Sequence, residues 1–328
     1  MNNFDFFFYN GSAMNTNSFT FKLTSEQQQE LLALLKTPKY QVEKVPYTQI
    51  AVAIMDCRIN LYTSGKLLVQ GKAAREWITF TLEPDILKEA VVGYEDVQDP
   101  EALQPHMGID ESGKGDFFGP LVIASAYVDE ALVTKLRELG VRDSKKISSD
   151  NVVLNMARDI RKVLGDRCAM VTIGPRSYNR MYTKIRNVNK MLAWGHARAI
   201  ENLLDKVPDC PRALSDKFGP THQIERALMD KGKKIKLDQR TKAESDPAVA
   251  AASILARAGF VYALRKMGKE YDIEVPKGAS DKVRREAEKL VADKGPGILL
   301  DTAKCHFQTT DKVLAEVGYT RKDMPPAT

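Results

Sequence analysis

Residues 108–120 read GIDESGKGDFFGP. Two carboxylates stand side by side at Asp110 and Glu111, and glycines flank the single Lys114. Adjacent carboxylates repel each other, and burying one is costly unless a positive charge compensates it. Gly113 and Gly115 indicate a backbone that turns sharply or lets something approach closely. Taken alone, the stretch could be a polar surface turn. The apolar run LVIASAYV at 121–128 follows at once, so the stretch lies against a buried strand.

Two more acids stand in suggestive places. Asp216 ends the short apolar strand RALSD, and strand ends are where α/β proteins gather reactive groups. An Asp-initiated turn before Lys217 is the plainer alternative. Glu244 lies in KAESDPAVAAASILAR, residues 242–257. Asp246 and Pro247 form a helix start there, with Asp as N-cap and Pro at the first helical position. Val249, Ala252, Ala256, Phe260 and Ala263 recur at helical spacing, and the small residues suit close packing on a sheet. Glu244 then sits near the helix's positive end, where it is at least a favourable charge. Upstream, KKIKLDQRTK at 233–242 carries five basic residues against one Asp, and reads either as a solvated loop or as a phosphate-facing rim.

If Asp110, Glu111, Asp216 and Glu244 converge, they cannot all stay ionised without cations. Sites built only from oxygen select magnesium or manganese over zinc. Two such ions roughly 4 Å apart would activate a water and stabilise the leaving oxygen of a phosphodiester. GKGDFFG lacks the spacing of a P-loop, so nucleotide hydrolysis by that route is not expected.

With 328 residues, the chain has room for two domains of roughly 150 residues each. Its 43% apolar and 28% charged content is that of an ordinary globular protein. A net charge of +6 permits a polyanionic partner without demanding one. Cys57, Cys168, Cys210 and Cys305 lie far apart with no CxxC pair, which argues against a zinc ribbon or disulfide framework and fits a reducing cytoplasm. No apolar run approaches the ~20 residues of a membrane span, so no membrane is expected as partner. Residues 1–18 lack a signal peptide's basic and apolar regions and read as a loose tail.

Residues 19–85 form a small α+β unit. FTFKL alternates as a strand, and Thr24 or Ser25 caps the helix SEQQQELLALLK, with Gln28 placed for a capping box. YQVEKVPYTQ and IAVAIMDCRINLYTS continue as strands, Ser64-Gly65 turns into KLLVQG, and AAREWITFTL closes the unit as a helix. One sheet face must pack on the helices while the other stays open. Residues 86–106 read as an acidic, proline-containing linker. From 107 to 320 strands alternate with helices, which is the α/β class.

The stretches GIDESGKGDFFGPLVIASAYV, VRDSKKIS, ALSDKFG, KAESDPAVAAASILAR, VPKGAS and AKCHFQTT together resemble the bacterial ribonuclease HIII family, a branch of the type 2 ribonucleases H. That resemblance implies a ribonuclease H-like catalytic domain, a central mixed sheet flanked by helices, preceded by a TATA-box-binding-protein-like domain. It implies cleavage of the RNA strand of RNA–DNA hybrids to 5′-phosphate and 3′-hydroxyl ends, by a monomer using two Mg2+ or Mn2+ ions. The family's four carboxylate ligands match Asp110, Glu111, Asp216 and Glu244. Glu rather than Asp at 244, and the extra N-terminal domain, both favour ribonuclease HIII over HII. The family's glycine-basic-glycine loop matches Gly113, Lys114 and Gly115. Only RNA offers a 2′-hydroxyl to hydrogen-bond, and glycines let backbone groups reach it while Lys114 reaches the next phosphate.

Asp143, Ser144 and Lys145 match the family's segment near the substrate backbone. Lys277, Gly278 and His306 match positions lining the cleft, although a lone histidine is as readily structural. Tyr62, Ser64, Gly65, Lys66, Lys72 and Arg75 cluster on or beside a hairpin of the N-terminal unit. An open face with tyrosine and lysine suits a duplex held by its backbone and sugars; ordinary solubilising charges are the alternative. Two rival functions are ribonuclease HII-like incision at single ribonucleotides in DNA and non-catalytic hybrid binding. In the family the first needs a C-terminal tyrosine, and HFQTT stands where it would be sought.

Overall fold

A computed structural model describes residues 18–88, 100–141, 147, 149–217, 219–220, 222–241 and 243–327. The chain divides into two compact units, Met1–Glu101 and Ala102–Thr328.

The first unit is a five-stranded antiparallel sheet in the order β1-β5-β4-β3-β2, made by β1 (Ser18–Lys22), β2 (Gln41–Glu43), β3 (Thr48–Ile54), β4 (Cys57–Tyr62) and β5 (Lys66–Gln70). The strands IAVAI and CRINLY are two arms of a hairpin turning at Met55-Asp56. Helix α1 (Ser25–Leu35) starts at a capping box, but its partner is Gln27, not Gln28. Because Thr24 is the N-cap, the third helical residue is 27; Gln27 Oε1 accepts from Thr24 N at 3.0 Å and Thr24 Oγ1 from Gln27 N at 3.2 Å. Gln28 instead donates to the Leu23 carbonyl at 3.0 Å. Helix α2 (Ala74–Trp77) runs on in wider π-helical turns through Leu87, two residues into the stretch read as linker. Val52, Ile59, Leu61, Leu67 and Val69 are buried and pack with residues of these helices. Side chains alternate along a strand, so Tyr62 and Lys66, beside the paired Leu61 and Leu67, fall on the face turned away from the helices.

The second unit is a mixed sheet ordered β10-β9-β6-β7-β8: β6 (His106–Ser112), β7 (Leu121–Val128), β8 (Cys168–Ile173), β9 (Arg212–Asp216) and β10 (Lys236–Arg240). β6 pairs antiparallel with β7 and parallel with β9. β10 is a correction to the sequence reading, because half of the basic run KKIKLDQRTK is an edge strand parallel to β9. Around this sheet lie α3 (Glu130–Glu138), α4 (Asp150–Leu164), α5 (Pro175–Ile185), α6 (Val188–Leu204), α7 (His222–Ala227), α8 (Pro247–Tyr271), α9 (Asp281–Lys294), α10 (Leu299–Thr302) and α11 (Gln308–Glu316). One core packs α8 against Val122, Ala124 and Ala126 of β7; the other packs α6 against Met107, Ile109 and Ile123.

Helix α8 is long and apolar enough by composition to cross a membrane, contrary to the expectation from apolar runs, but 78% of its most apolar window is buried inside the fold. It comes very close to β6 at Gly108. A Cβ there would stand 2.1 Å from Val249 N and 2.2 Å from Ala248 C, backbone atoms that cannot swing aside. Gly108→Ala should therefore destabilise the chain by about 1–3 kcal/mol through overpacking, read as a lower urea midpoint. A midpoint unchanged within error would show that α8 is free to slide outward.

Candidate active site

The register of β6 and β9 sets the site. Met107, Gly108 and Ile109 lie opposite Ala213, Leu214 and Ser215, so the next residues, Asp110 and Asp216, end up level on adjacent parallel strands. Gly108 faces α8, and the period of two sends Asp110 the same way. There Asp110 accepts a hydrogen bond from the Ser253 side chain of α8. Burial first, and then the charge of Glu111, push the Asp110 carboxyl up to about 6; Ser253 and His196 act in the opposite direction.

Glu111 points to the other face. Its Oε2 lies 3.0 Å from Nε2 of the fully buried His196 on α6, and its Oε1 lies 4.0 Å from Lys114 Nζ. Adjacent acids are thus divided between two helical layers at one strand end. Glu244 stands in the single turn Ala243–Ser245 before α8. That turn is tied to Asp216, whose Oδ1 accepts from Ala243 N at 3.4 Å.

The next residue but one after Glu244, Asp246, is wholly buried. Its carboxylate caps α8 by accepting from Ala248 N at 2.8 Å and Val249 N at 3.2 Å. It also lies 2.9 and 3.0 Å from Nε2 of the buried His106 at the start of β6. One side-chain pair therefore ties the first strand of the unit to the helix behind Glu244. Arg240 of the basic run also turns toward Asp246, at 3.5 Å, and Lys236 pairs with Asp238 at 3.0 Å; Lys242 lies outside the described residues.

The segments of all four acids thus reach one end of the sheet. Among the described residues, however, no three Asp, Glu, His or Cys side chains converge as a ready ion cage. The donor chemistry fits a hard divalent cation: every candidate ligand is a carboxylate, and Asp110 is held in a field that disfavours a second uncompensated negative charge.

The two glycines of the loop are not equivalent. Gly113 has φ +92°, and a Cβ there would meet Pro120 O at 2.3 Å, so the fold itself demands it. Gly115 is exposed, and a Cβ there would meet nothing within 4 Å. Behind the loop, Asp116 Oδ1 accepts from Gly278 N at 2.6 Å and Phe117 N donates to Gly278 O at 2.9 Å. VPKGAS is therefore a buttress of GKGDFF. Lys277 itself bonds Asp150 at the start of α4. Ser144 and Lys145, with Asp143, lie outside the described residues.

His306 packs among aromatic rings, with centroids 5.4 Å from Tyr178, 4.8 Å from Tyr182 and 4.5 Å from Phe307. Burial, reinforced by Lys304 and Arg321, lowers it to about 4, so it is neutral at pH 7. In the first unit Tyr62, Ser64 and Lys66 share one hairpin end. Lys72 and Arg75 follow the opposite end of β5, so the expected cluster is split by one strand length.

Three residues that no local pattern singled out support this site: His106, His196 and Lys304. A lysine between the small apolar Ala303 and Cys305 was the available signal for the last. Lys304 is fully buried and donates to the carbonyls of Phe118, Gly119 and Pro120 at 3.1, 2.7 and 3.5 Å. The rings of Tyr178 and Phe260 lie 5.9 and 6.0 Å away. Burial lowers it to about 7, with Asp116 resisting. Below about pH 7 folded and unfolded chains both keep this proton, and the folded state carries the full burial penalty. Between that value and the ordinary 10.5 only the unfolded chain keeps it, so this group's contribution to stability rises with pH. Urea unfolding of the native chain and of Lys304→Met from pH 6.5 to 9 should show their difference moving toward the native chain. A difference independent of pH would mean that the three carbonyls hold the ammonium charged throughout.

A family model described as Ribonuclease HII matches residues 107–310, and one described as a domain of unknown function (DUF3378) matches residues 18–81. The chain is 39% identical over 302 residues to ribonuclease HIII of Protochlamydia amoebophila, covering 92% of this chain and 98% of that one. It is 37% identical to ribonuclease HIII of Chlamydia pneumoniae, covering 90% and 97%. Among solved structures, Bst-RNase HIII in complex with Mn2+ superposes with a TM-score of 0.64 at 29% identity, covering 92% of this chain and 99% of that one. The antiparallel first unit is consistent with a TATA-box-binding-protein-like domain. With relatives so similar along nearly their whole length, and with this ribonuclease H-like fold, the chain belongs to the ribonuclease HIII family and is a ribonuclease H.

Proposed function

We propose that this ribonuclease H hydrolyses the RNA strand of RNA–DNA hybrids, leaving 5′-phosphate and 3′-hydroxyl ends, with Asp110, Glu111, Asp216 and Glu244 holding two Mg2+ or Mn2+ ions. The observation that carries the reading is the meeting of four acid-bearing segments at one sheet end beside a glycine, Gly115, that internal packing does not require. A residue kept small without internal cause suits close contact with something outside the chain. The Mn2+ held by Bst-RNase HIII supports a divalent ion here.

When bound, the ions supply an activated water and stabilise the leaving 3′ oxygen. The chain's own groups do the rest. Ser253 and His196 orient Asp110 and Glu111 from opposite faces. The Gly113–Gly115 backbone tests for the 2′-hydroxyl, and half-exposed Lys114 reaches the adjoining phosphate. Ser144, Lys145 and Lys277 contribute along the substrate backbone, and the open face with Tyr62, Ser64 and Lys66, extended by Lys72, adds affinity through phosphates and sugars. His306, neutral within its ring stack, shapes the cleft wall. All four cysteines are free thiols, which suits a reducing cytoplasm, and the chain works there as a monomer.

Asp110→Asn should lower cleavage of a hybrid by about 1000-fold or more while hybrid affinity stays within a few-fold. Full activity in this variant would discard Asp110 as a ligand. Duplexes carrying several consecutive ribonucleotides should be cut far better than those carrying one, since HFQTT offers no tyrosine for reading a single junction. Equal efficiency on the two would favour ribonuclease HII-like incision instead.

A further inference from the structure

From Arg167 to Ile200 the chain contains no Asp or Glu but seven basic residues, although 43 of its 328 residues are acidic. Acids at that density would put about four in such a stretch, so the run is a local bias and not an average surface. Arg176, Arg180 and Lys184 recur every four residues and share one face of α5. Arg186 follows in the turn, and Lys190 lies in the first turn of α6. All five are exposed.

Arg176 is held by Asp301 in a two-pronged pair at 2.5 and 2.6 Å. Among the described residues, no acid lies within ion-pair range of Arg180, Lys184, Arg186 or Lys190. Like charges at i and i+4 weaken a helix, so the fold does not account for this ridge.

Its position follows from the register. Glu111 pairs with Ile123, Ser112 with Val122, and Leu121 with Ile173. The last residue of β8 is therefore at the same sheet end as the acids, and α5 starts two residues later. On α6, His196 reaches Glu111, whereas Ala199 O accepts from Ser125 Oγ, further from that end. The N-terminal turns of α6, with Lys190, consequently project beyond the acid end. A rim of cations thus flanks the strand ends that carry the carboxylates, which by themselves would repel phosphates.

We infer that Arg180, Lys184, Arg186 and Lys190 form a backbone-gripping ridge of the catalytic unit, which binds phosphates of the hybrid to one side of the cleaved bond. The inference rests on the hybrid-cleavage reading above. Helical cations at one-turn spacing contact successive phosphates of one strand without reading bases, so the ridge sets affinity and footprint and not sequence preference.

The test is a full-length variant with Arg180, Lys184, Arg186 and Lys190 all changed to Gln. A charge-matched control changes Lys282, Arg285, Lys289 and Lys294 of α9 to Gln. Hybrid binding by fluorescence anisotropy across a KCl series, and steady-state cleavage, are read for both. For the ridge variant KM should rise at least tenfold with kcat within about threefold, and the slope of log Kd against log salt should fall by about 2 to 4. Exchanging Lys for Arg and Arg for Lys at the four ridge positions should restore the native slope. An unchanged slope, or an equal loss in the α9 control, overturns the ridge while native cleavage leaves the hybrid reading standing. A native chain that binds hybrid but does not cut it, with the ridge variant losing the binding, overturns the cleavage reading and leaves the ridge in place.

Discussion

Helix α8 can lie against the central strand only because residue 108 has no side chain, and the height of that helix sets how Asp110 is met from one face of the sheet. Its first turn hands two N–H groups to Asp246, whose carboxylate also meets His106. Ser253, two turns on, meets Asp110. The turn in front of the helix carries Glu244 and leans on Asp216. A wider separation would loosen the His106–Asp246 and Ser253–Asp110 contacts together, because both span the gap between α8 and β6.

Each buried polar support of the site meets a group on another element, an arrangement that specifies geometry as much as stability. His196 serves Glu111 from one layer and Ser253 serves Asp110 from the other. Lys304 meets three carbonyls just behind the glycine loop, and Asp116 pins that loop to Gly278. Such groups are costly to bury singly. Clustered around one strand end, they leave the loop and the acids little freedom.

Electrostatics divide this end of the sheet into two territories. Carboxylates occupy the strand ends, where burial already raises Asp110 to about 6. Cations occupy the neighbouring helices, with no acid between Arg167 and Ile200. By charge alone, a polyanion would be attracted by the second and repelled by the first unless divalent ions intervened. Under the proposed function, affinity and chemistry fall to different residues.

Much of this was legible in the chain's own text. The strand carrying Asp110 and Glu111, the Asp246-Pro247 helix start and the short strand ending at Asp216 rest on periodicity and capping, which act within a few residues. Local reading failed where a choice depended on one position, as with Gln27 instead of Gln28 in the capping box, or on a distant neighbour. The edge strand β10 has little apolar pattern and exists because β9 offers it a partner. Gly113 and Gly115 look alike in sequence, yet Pro120 makes only the first obligatory. His106 meets Asp246 across 140 residues and Lys304 meets Gly119 across 185. The sequence by itself therefore determined the elements and the kinds of group available. Tertiary structure alone decided which acids share a face and which buried charges hold them, since strand register and helix height are set by contacts between residues far apart in the chain.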